Sequence, residues 1–488
     1  MKRPIEGTST TANWIRVNMK HKLAGHHLLT FTGLKEHCIV AHWLSEKGAV
    51  EAETLVFEGV RFPSLSPNLP EVAWDEREIH DLLGYIPDGH PDLRPLIRTP
   101  RWPEAFLPLQ PGEQHPVWRE VEPDNPARRV DGDGVTVMKV GPTHAGIIES
   151  GHFVFSIIGE NVLHLDAHLF QNHRGVEKAL ENRSVTEALP LVSRICGADS
   201  ASHQFNFITA IEKLAGREVP ESIRWQRMAL LESERILSHL NDVSQIPAGV
   251  GFQVAHQRGL AMKETWQRGL ETAFGHRYLF DVLDFVRTPV QDLGSLQILI
   301  QSFEPEWTSW RRLVDHHHGF RDRMHGVGVV RHDDARRLGA VGVAARASGL
   351  PFDVRSFMPF YDGVHIGSST TTGGDVEARF DVRLQEVERS IAMLKLAVSH
   401  LKAGWDNEDI CWQPPEDLTG EVVSYSESPH GLNAHMIQIA QGCIDRYHIR
   451  SGAFRNWPVL ASAVAGNAVA DFPLINKSFE LCYSCSDR

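Results

Sequence analysis

Two short stretches carry side chains whose types and spacing suit a soft metal ion. RICGADSASH (194–203) places Cys196 in a glycine turn with Asp199 three residues on, and the closing SFELCYSCSDR places Cys482 and Cys485 at the same spacing. Side chains at i and i+3 can turn to one side, as a thiophilic ion requires. One such pair answers equally well to a redox dithiol, half a zinc site or two inert thiols. If the two pairs meet, they offer three thiolates and a carboxylate. That mixed soft and hard set serves a thiolate-bridged bimetallic centre less well than four sulfurs.

Other clusters read more plainly. HRGVEK (173–178) reads as an exposed charged turn, and GHPDLRP (89–95) as a turn with an ion pair. DHHHGF (315–320) resembles a metal motif, but adjacent histidines on a helix point in different directions, so it reads as a polar face.

The elements that must position these residues fall into two regions. HHLLTFTGL, HCIVAHWLS and AVEAETLVFEGV are β-rich runs, and WDEREIHDLLG is an amphipathic helix with Ile79, Leu82 and Leu83 on one face and Gly84 as its stop. Residues 1–98 thus read as a small α/β domain. Eight prolines between Pro95 and Pro126 exclude a regular helix and predict an extended connector, closed by the turn residues DGDGV, over 99–135. From 136 to 488 helical signals dominate. In ESIRWQRMALLESERILSHL, Ile223, Leu230, Leu237 and Leu240 share one face and Glu232, Arg235 and His239 another; RFDVRLQEVERSIAMLKLAVSHL is a second long helix. Periodicity alone gives both a core face and a solvated polar face.

A chain of 488 residues exceeds one hydrophobic core, and a net charge of −13 argues against a nucleic-acid binder. Six scattered cysteines read as reduced cytosolic thiols. The opening MKRPIEGTSTTANWIRVN has no signal-peptide core, and no apolar run reaches the roughly 18 residues of a membrane span, so a soluble chain is expected, free to dock on a membrane partner.

In combination and in order, GPTHAGIIESGHF, HRGVEKALE, RICGADSASH, AIEKLAG, ESERILSHL, GVGVV, RASGLPFDVR and SFELCYSCSDR resemble the large subunit of membrane-bound group 4 NiFe hydrogenases, and equally the 49-kDa subunit of respiratory complex I. DEREIHDLLGYIPDGHPDLRPLI is similar to the 30-kDa subunit of complex I, and its fusion ahead of the large subunit is the formate hydrogenlyase-type arrangement. The implied fold is α+β: the small N-terminal domain, the Pro-rich connector, and a mainly helical large-subunit domain with a short β region at its start.

The resemblance implies a site as well. In such hydrogenases two Cys-x-x-Cys pairs hold nickel, and the second cysteine of each bridges to an iron carrying CO and cyanide. Here Cys196, Cys482 and Cys485 match, and Asp199 stands in a bridging place. The two pairs are therefore expected to meet. In complex I the cavity serves quinone in NADH-linked electron transport. Aligned on GPTH, which contributes His144 as a cofactor-binding position, that family's second quinone-site histidine falls at Ile148 and its tyrosine at Gly197. Glu149 matches a proton-passing glutamate, suited to that role when partly buried. Arg174 matches an arginine beside the terminal iron–sulfur cluster of a small partner subunit, and Glu177 a glutamate that binds structural magnesium. The histidine that helps hold that ion is replaced by Arg488. Glu232 and Arg235 are expected to be buried and paired.

By the same resemblance the chain would be an oxidoreductase subunit, cytoplasmic and peripheral on the inner membrane, bound to an iron–sulfur subunit and antiporter-like membrane subunits and coupling electron transfer to ion movement. The rivals are a relative that has lost hydrogen chemistry, a quinone-reducing subunit, and a structural coupling subunit without a redox centre. NiFe large subunits are generally made with a tail that is cleaved shortly after the last Cys-x-x-Cys. This sequence stops three residues after Cys485, as a mature form or one without a tail would.

Overall fold

The hairpin runs near the start fold as read. In the computed structural model, which describes residues 11–103, 105–112, 116–118, 120, 127–144, 149–286, 289–367, 369–404 and 412–488, strands His27–Leu34, Cys38–Leu44 and Val50–Val56 form one antiparallel sheet in that order. A helix, Thr11–Leu23, precedes them; its polar sequence gave no periodic signal. The helix read from WDEREIHDLLG spans Ala73–Leu83 and ends at Gly84, whose φ of 74° closes it with an N–H bond to the His80 carbonyl.

Ile79, Leu82 and Leu83 are buried as the pattern requires, but so are Asp75, Glu76, Glu78 and Asp81. The helix is wedged between the N-terminal sheet and the rest of the chain, and each acid has a partner there. Asp75 receives Arg450 at 2.8 Å, Asp81 accepts the Leu96 and Ile97 amides at 2.7 Å, and Glu76 accepts the Leu65 amide at 2.6 Å. The described residues of 99–134 form neither helix nor strand. They fold back on this helix, the Leu109 amide and the Gln110 side chain donating to the carbonyls of Leu82 and Leu83.

Beyond the connector comes the expected β region, an antiparallel sheet of Val135–Val140, His152–Ile158 and Asn161–His168. Helices follow, the longest being Glu221–Ala248 and Val376–Gly404, which pack side by side. Gln253–Phe274 packs on the first of these and on Leu293–Asp315. A third antiparallel sheet, Gly420–Ser428, Gly431–Ala440 and Cys443–Arg450, lies late in the chain and was not read from the sequence. It packs against strand His27–Leu34, which buries that strand on both faces.

Glu232 and Arg235 are buried and paired as expected, and the solvated polar face that periodicity alone gives the long helices does not exist there. Glu232, Arg235 and His239 are buried, Arg235 Nε lying 3.5 Å from Glu232 Oε2. Glu232 also accepts from Arg355 at 3.0 Å, Tyr361 at 2.6 Å and Ser390 at 2.6 Å. Glu386 takes His239 at 2.8 Å and shares Arg346 with Glu427, both at 2.7 Å. Buried charges persist when each is paired and hydrogen-bonded, and the second helix and the late sheet supply the partners. The histidines 316–318 mark a helix junction instead of a face: His316 follows Leu293–Asp315, and His317 Nδ1 accepts the Phe320 amide at 2.9 Å to cap His318–Met324. The GHPDLRP ion pair is present, Arg94 reaching Asp92 at 2.6 Å and also Asp166 at 2.7 Å.

Candidate metal centre

The two cysteine segments meet. Ser184 and Glu187 form a reciprocal cap at the start of helix Val185–Ser193, which leads into the first cysteine loop, and helix Ser200–Leu214 leads out of it. Helix Phe472–Phe479 ends at Glu480 in a left-handed conformation, which turns the chain into the second loop. Cys196 Sγ lies 3.0 Å from Cys482 Sγ across 286 residues of sequence. Ligand atoms of Cys196, Cys482 and Cys485 all fall within 4.8 Å of one another. Hydrogen bonds from Cys196 and then Cys485 hold the Cys482 thiol well below the ordinary range, while burial pushes Cys196 and Cys485 up.

Asp199 stands at the N-cap of helix Ser200–Leu214, a place where aspartate usually accepts an amide of the first turn. It does not cap. Glu234 does so instead, accepting the Ala201 and Ser202 amides at 2.5 and 3.0 Å. The Asp199 carboxylate lies 2.9 and 3.0 Å from His430 Nδ1, 3.3 Å from Ser428 Oγ and 3.6 Å from Cys485 Sγ. His430 Nε2 lies 2.9 Å from the Glu480 carbonyl, so both its ring nitrogens face acceptors. Burial alone would lower the His430 pKa, but the Asp199 carboxylate outweighs it and raises it to about 10. Asp199 and His430 thus form a buried ion pair on the rim of the sulfur cluster.

Behind Cys485 runs a second polar chain. His203 Nε2 is 3.8 Å from its sulfur, His203 Nδ1 is 2.9 Å from His435 Nε2, and His435 Nδ1 is 2.8 Å from the Tyr447 hydroxyl. Burial lowers the pKa of both histidines, that of His203 to about 4, so both are neutral. Neither His203 nor His430 was singled out in the sequence. A signal existed for the first, which follows Asp199 by one helical turn.

A cavity of about 420 Å3 opens beside the cluster, lined among others by Cys482, Gly197, Glu149, Tyr278 and Lys263. Glu149 is exposed and accepts from Ser484 Oγ at 2.6 Å. Gly197 leaves the cavity open, for a Cβ there would meet only Phe280, at 3.8 Å. His144 is not among the lining residues; its Nε2 bonds the Gly151 carbonyl at 2.7 Å. Ile148 lies outside the described residues.

Arg174 and Glu177 flank the centre differently. Arg174 is exposed, and one of its nitrogens donates to the Ile195 carbonyl at 2.6 Å and the Ser484 carbonyl at 3.0 Å, clasping the two cysteine loops together. Glu177 is buried among Arg446 at 2.9 Å, Arg488 at 3.2 Å and His448 at 3.4 Å. Arg488 also pairs with Glu78 of the N-terminal unit. Burial alone would raise Glu177, but Arg446, His448 and Arg488 together outweigh it and hold the carboxyl well below the ordinary range, whereas burial pushes Glu78 up to about 7. Glu78, Glu177 and His448 present a cation site in outline, and the guanidinium of Arg488 is already the cation. These residues do not fit magnesium.

The sulfur cluster fits one soft cation held by three sulfurs. It does not fit a dinuclear centre that needs a fourth sulfur as its second bridge, because Asp199 is held by His430. A helical large domain, an α/β unit docked on it and paired ligand loops define a redox subunit of the class in which such loops hold a metal. Comparison gives the class a family. Residues 288–419 match the family described as the 49-kDa subunit of respiratory-chain NADH dehydrogenase, and 9–119 match its 30-kDa subunit. Hydrogenase-4 component G of Escherichia coli is 30% identical over 97% of this chain and 84% of its own. Formate hydrogenlyase subunit 5 of the same organism is 29% identical over 97% and 85%. A chain of the archaeal membrane-bound sulfane sulfur reductase shares the fold, with a TM-score of 0.66 and 23% identity over 73% of this chain and 99% of that one. The chain belongs to the oxidoreductase large-subunit family common to these hydrogenases and respiratory-chain NADH dehydrogenase. Among the described residues no helix is long and apolar enough to cross a membrane.

Proposed function

We propose that this chain is the large subunit of a membrane-associated complex, peripheral on the cytoplasmic face of the inner membrane, that has lost the hydrogen chemistry of its four-cysteine relatives. A small iron–sulfur subunit would dock over Arg174, and antiporter-like membrane subunits would couple the electron transfer to ion movement, as the relatedness to formate hydrogenlyase and NADH dehydrogenase subunits supports. Electrons would pass from that subunit to an acceptor in the cavity beside Cys482. Glu149 on the cavity wall would exchange protons with solvent. A quinone bound as in complex I is disfavoured by Gly197, which offers no side chain to a headgroup.

One observation carries the reading: the carboxylate at the fourth ligand position is spent on His430, so a nickel–iron pair lacks its second sulfur bridge. Metal analysis of the intact purified complex tests it. The expected result is substoichiometric nickel and no hydrogen-dependent dye reduction. Stoichiometric nickel with that activity would overturn the proposal and make Asp199 a working ligand, in which case Asp199→Ala abolishes the activity and Asp199→Cys keeps it. An intact complex with neither nickel nor iron would favour a structural coupling subunit.

A further inference from the structure

A second group of ligand-type side chains sits in the N-terminal unit, where helix Thr11–Leu23 ends. Gly25, at φ 79°, closes that helix: the His26 amide bonds the His21 carbonyl at 3.1 Å and the Gly25 amide bonds the Lys22 carbonyl at 3.2 Å. This closure brings the side chains of its first and last residues together, commonly as an apolar contact. Here they are two imidazoles, His21 and His26, with ring centroids 5.1 Å apart and Nδ1 atoms 2.9 Å apart.

The His21 ring is fixed on two sides. It stacks on the Trp43 indole at 5.5 Å and 13°, and its Nε2 lies 2.9 Å from Glu53 Oε1. An ionised carboxylate only accepts, so Nε2 carries the proton and a neutral His21 presents the Nδ1 lone pair towards His26. Glu51 precedes Glu53 by two residues on strand Val50–Val56 and so shares its face. Its Oε2 lies 3.8 Å from the same Nδ1. The three ligand atoms all lie within 4.8 Å of one another. At metal–nitrogen distances of roughly 2.0–2.1 Å, two nitrogens so spaced subtend about 90°. That is one edge of a facial array with open positions.

We propose that His21, His26 and Glu51 bind a divalent first-row cation of the zinc class, with Glu53 fixing the His21 ring. A hydrogen bond between imidazoles accounts for the 2.9 Å contact alone. Beside it, Glu53 on the far nitrogen of His21 is the partner that sets tautomer and orientation at metal-bound histidines, and Glu51 converges on the near nitrogen as a further ligand would. His21 is buried, His26 half-buried and Glu51 exposed, so an ion has a path in from solvent. Bound there, it ties the helix end to the edge strand of the first sheet.

Zinc alone is the probe, titrated into the full chain by equilibrium dialysis. Wild type and His26→Ala both keep the cysteine cluster, so its zinc cancels in the comparison. The expected result is one zinc more per chain in wild type than in His26→Ala, with that zinc bound about 10- to 100-fold more weakly in Glu53→Gln. The exposed Glu51→Gln is the second variant, expected to fold and to weaken the same zinc. Equal stoichiometry and affinity in wild type and every variant that folds would overturn the site and leave the cysteines as the zinc ligands.

Discussion

Asp199 Oδ1 lies 2.9 Å from His430 Nδ1, a residue 231 positions further along the chain, and the helix that Asp199 begins takes its cap from Glu234 instead. An aspartate at that position is not there to start a helix. Its charge is committed to a buried histidine.

Removing one partner of this pair should therefore be costly. Asp199→Asn leaves His430 with a buried charge to lose or an unmatched donor, and we expect a loss of about 3–5 kcal/mol in unfolding free energy. His430→Gln should cost a similar amount, and the double variant less than the sum of the two. Denaturant unfolding of the metal-free chain measures all three. Additive losses would show that the two residues do not act together.

Much of the site was legible because its signals are local. The i, i+3 spacing of Cys482 and Cys485 and the glycine turn at Cys196 both lie within a few residues, as does the stop at Gly84. The Asp199–His430 pair was not legible, since nothing local in SPHG marks a partner for Asp199. Periodicity assigned Glu232, Arg235 and His239 to water because it sees one helix at a time; Arg355, Glu386 and the late sheet, which bury that face, come from more than a hundred residues away. Thr11–Leu23 escaped for the opposite reason, because its sequence shows little contrast between faces and tertiary packing decides it.

Arg174 allows two readings that one variant separates. As a cation beside the partner's terminal cluster it favours the reduced form, so Arg174→Met should lower that cluster's reduction potential in the assembled complex. As the clasp between the Ile195 and Ser484 carbonyls it should also hold the loops. Arg174→Lys keeps the charge and loses the fork, so it should restore most of the potential without restoring loop stability. Redox titration of the cluster, with hydrogen exchange of the two loops, reads both. An unchanged potential in Arg174→Met removes the electrostatic role.

Acid should weaken the seam between the N-terminal unit and the large domain. His27 stacks on Phe352 with centroids 3.5 Å apart, and burial, helped by Arg455, lowers its pKa to about 4. The folded state therefore prefers neutral His27, and its contribution is fully present above the unfolded value near 6.5. Below that the unfolded chain binds the proton first, and stability falls until pH reaches about 4. The loss is on the order of 3 kcal/mol across this window. His27→Gln should flatten that part of the stability profile. An equal slope in the variant would place the acid sensitivity elsewhere.

The last prediction concerns a cation that the chain supplies itself. Glu78 comes from the N-terminal helix and Glu177 from the large domain, and both carboxylates meet the guanidinium of Arg488, whose carbon lies 4.6 Å from the Phe454 ring centre. Two buried carboxylates this close repel each other unless a positive charge stands between them, and here that charge is covalently part of the chain. Magnesium has nothing to add, so millimolar Mg2+ should not move the melting temperature of the wild type. Arg488→Ala removes the charge and leaves Glu78, Glu177 and His448 around the vacated volume. We expect it to cost about 3–5 kcal/mol and to make the chain responsive to divalent cations, Mg2+ or Mn2+ restoring part of the loss. Arg488→Lys should keep most of the stability and stay indifferent to Mg2+, because a charge remains. Thermal unfolding of the three proteins with and without metal decides the matter, and a wild type stabilised by Mg2+ would mean that the guanidinium is not the resident cation.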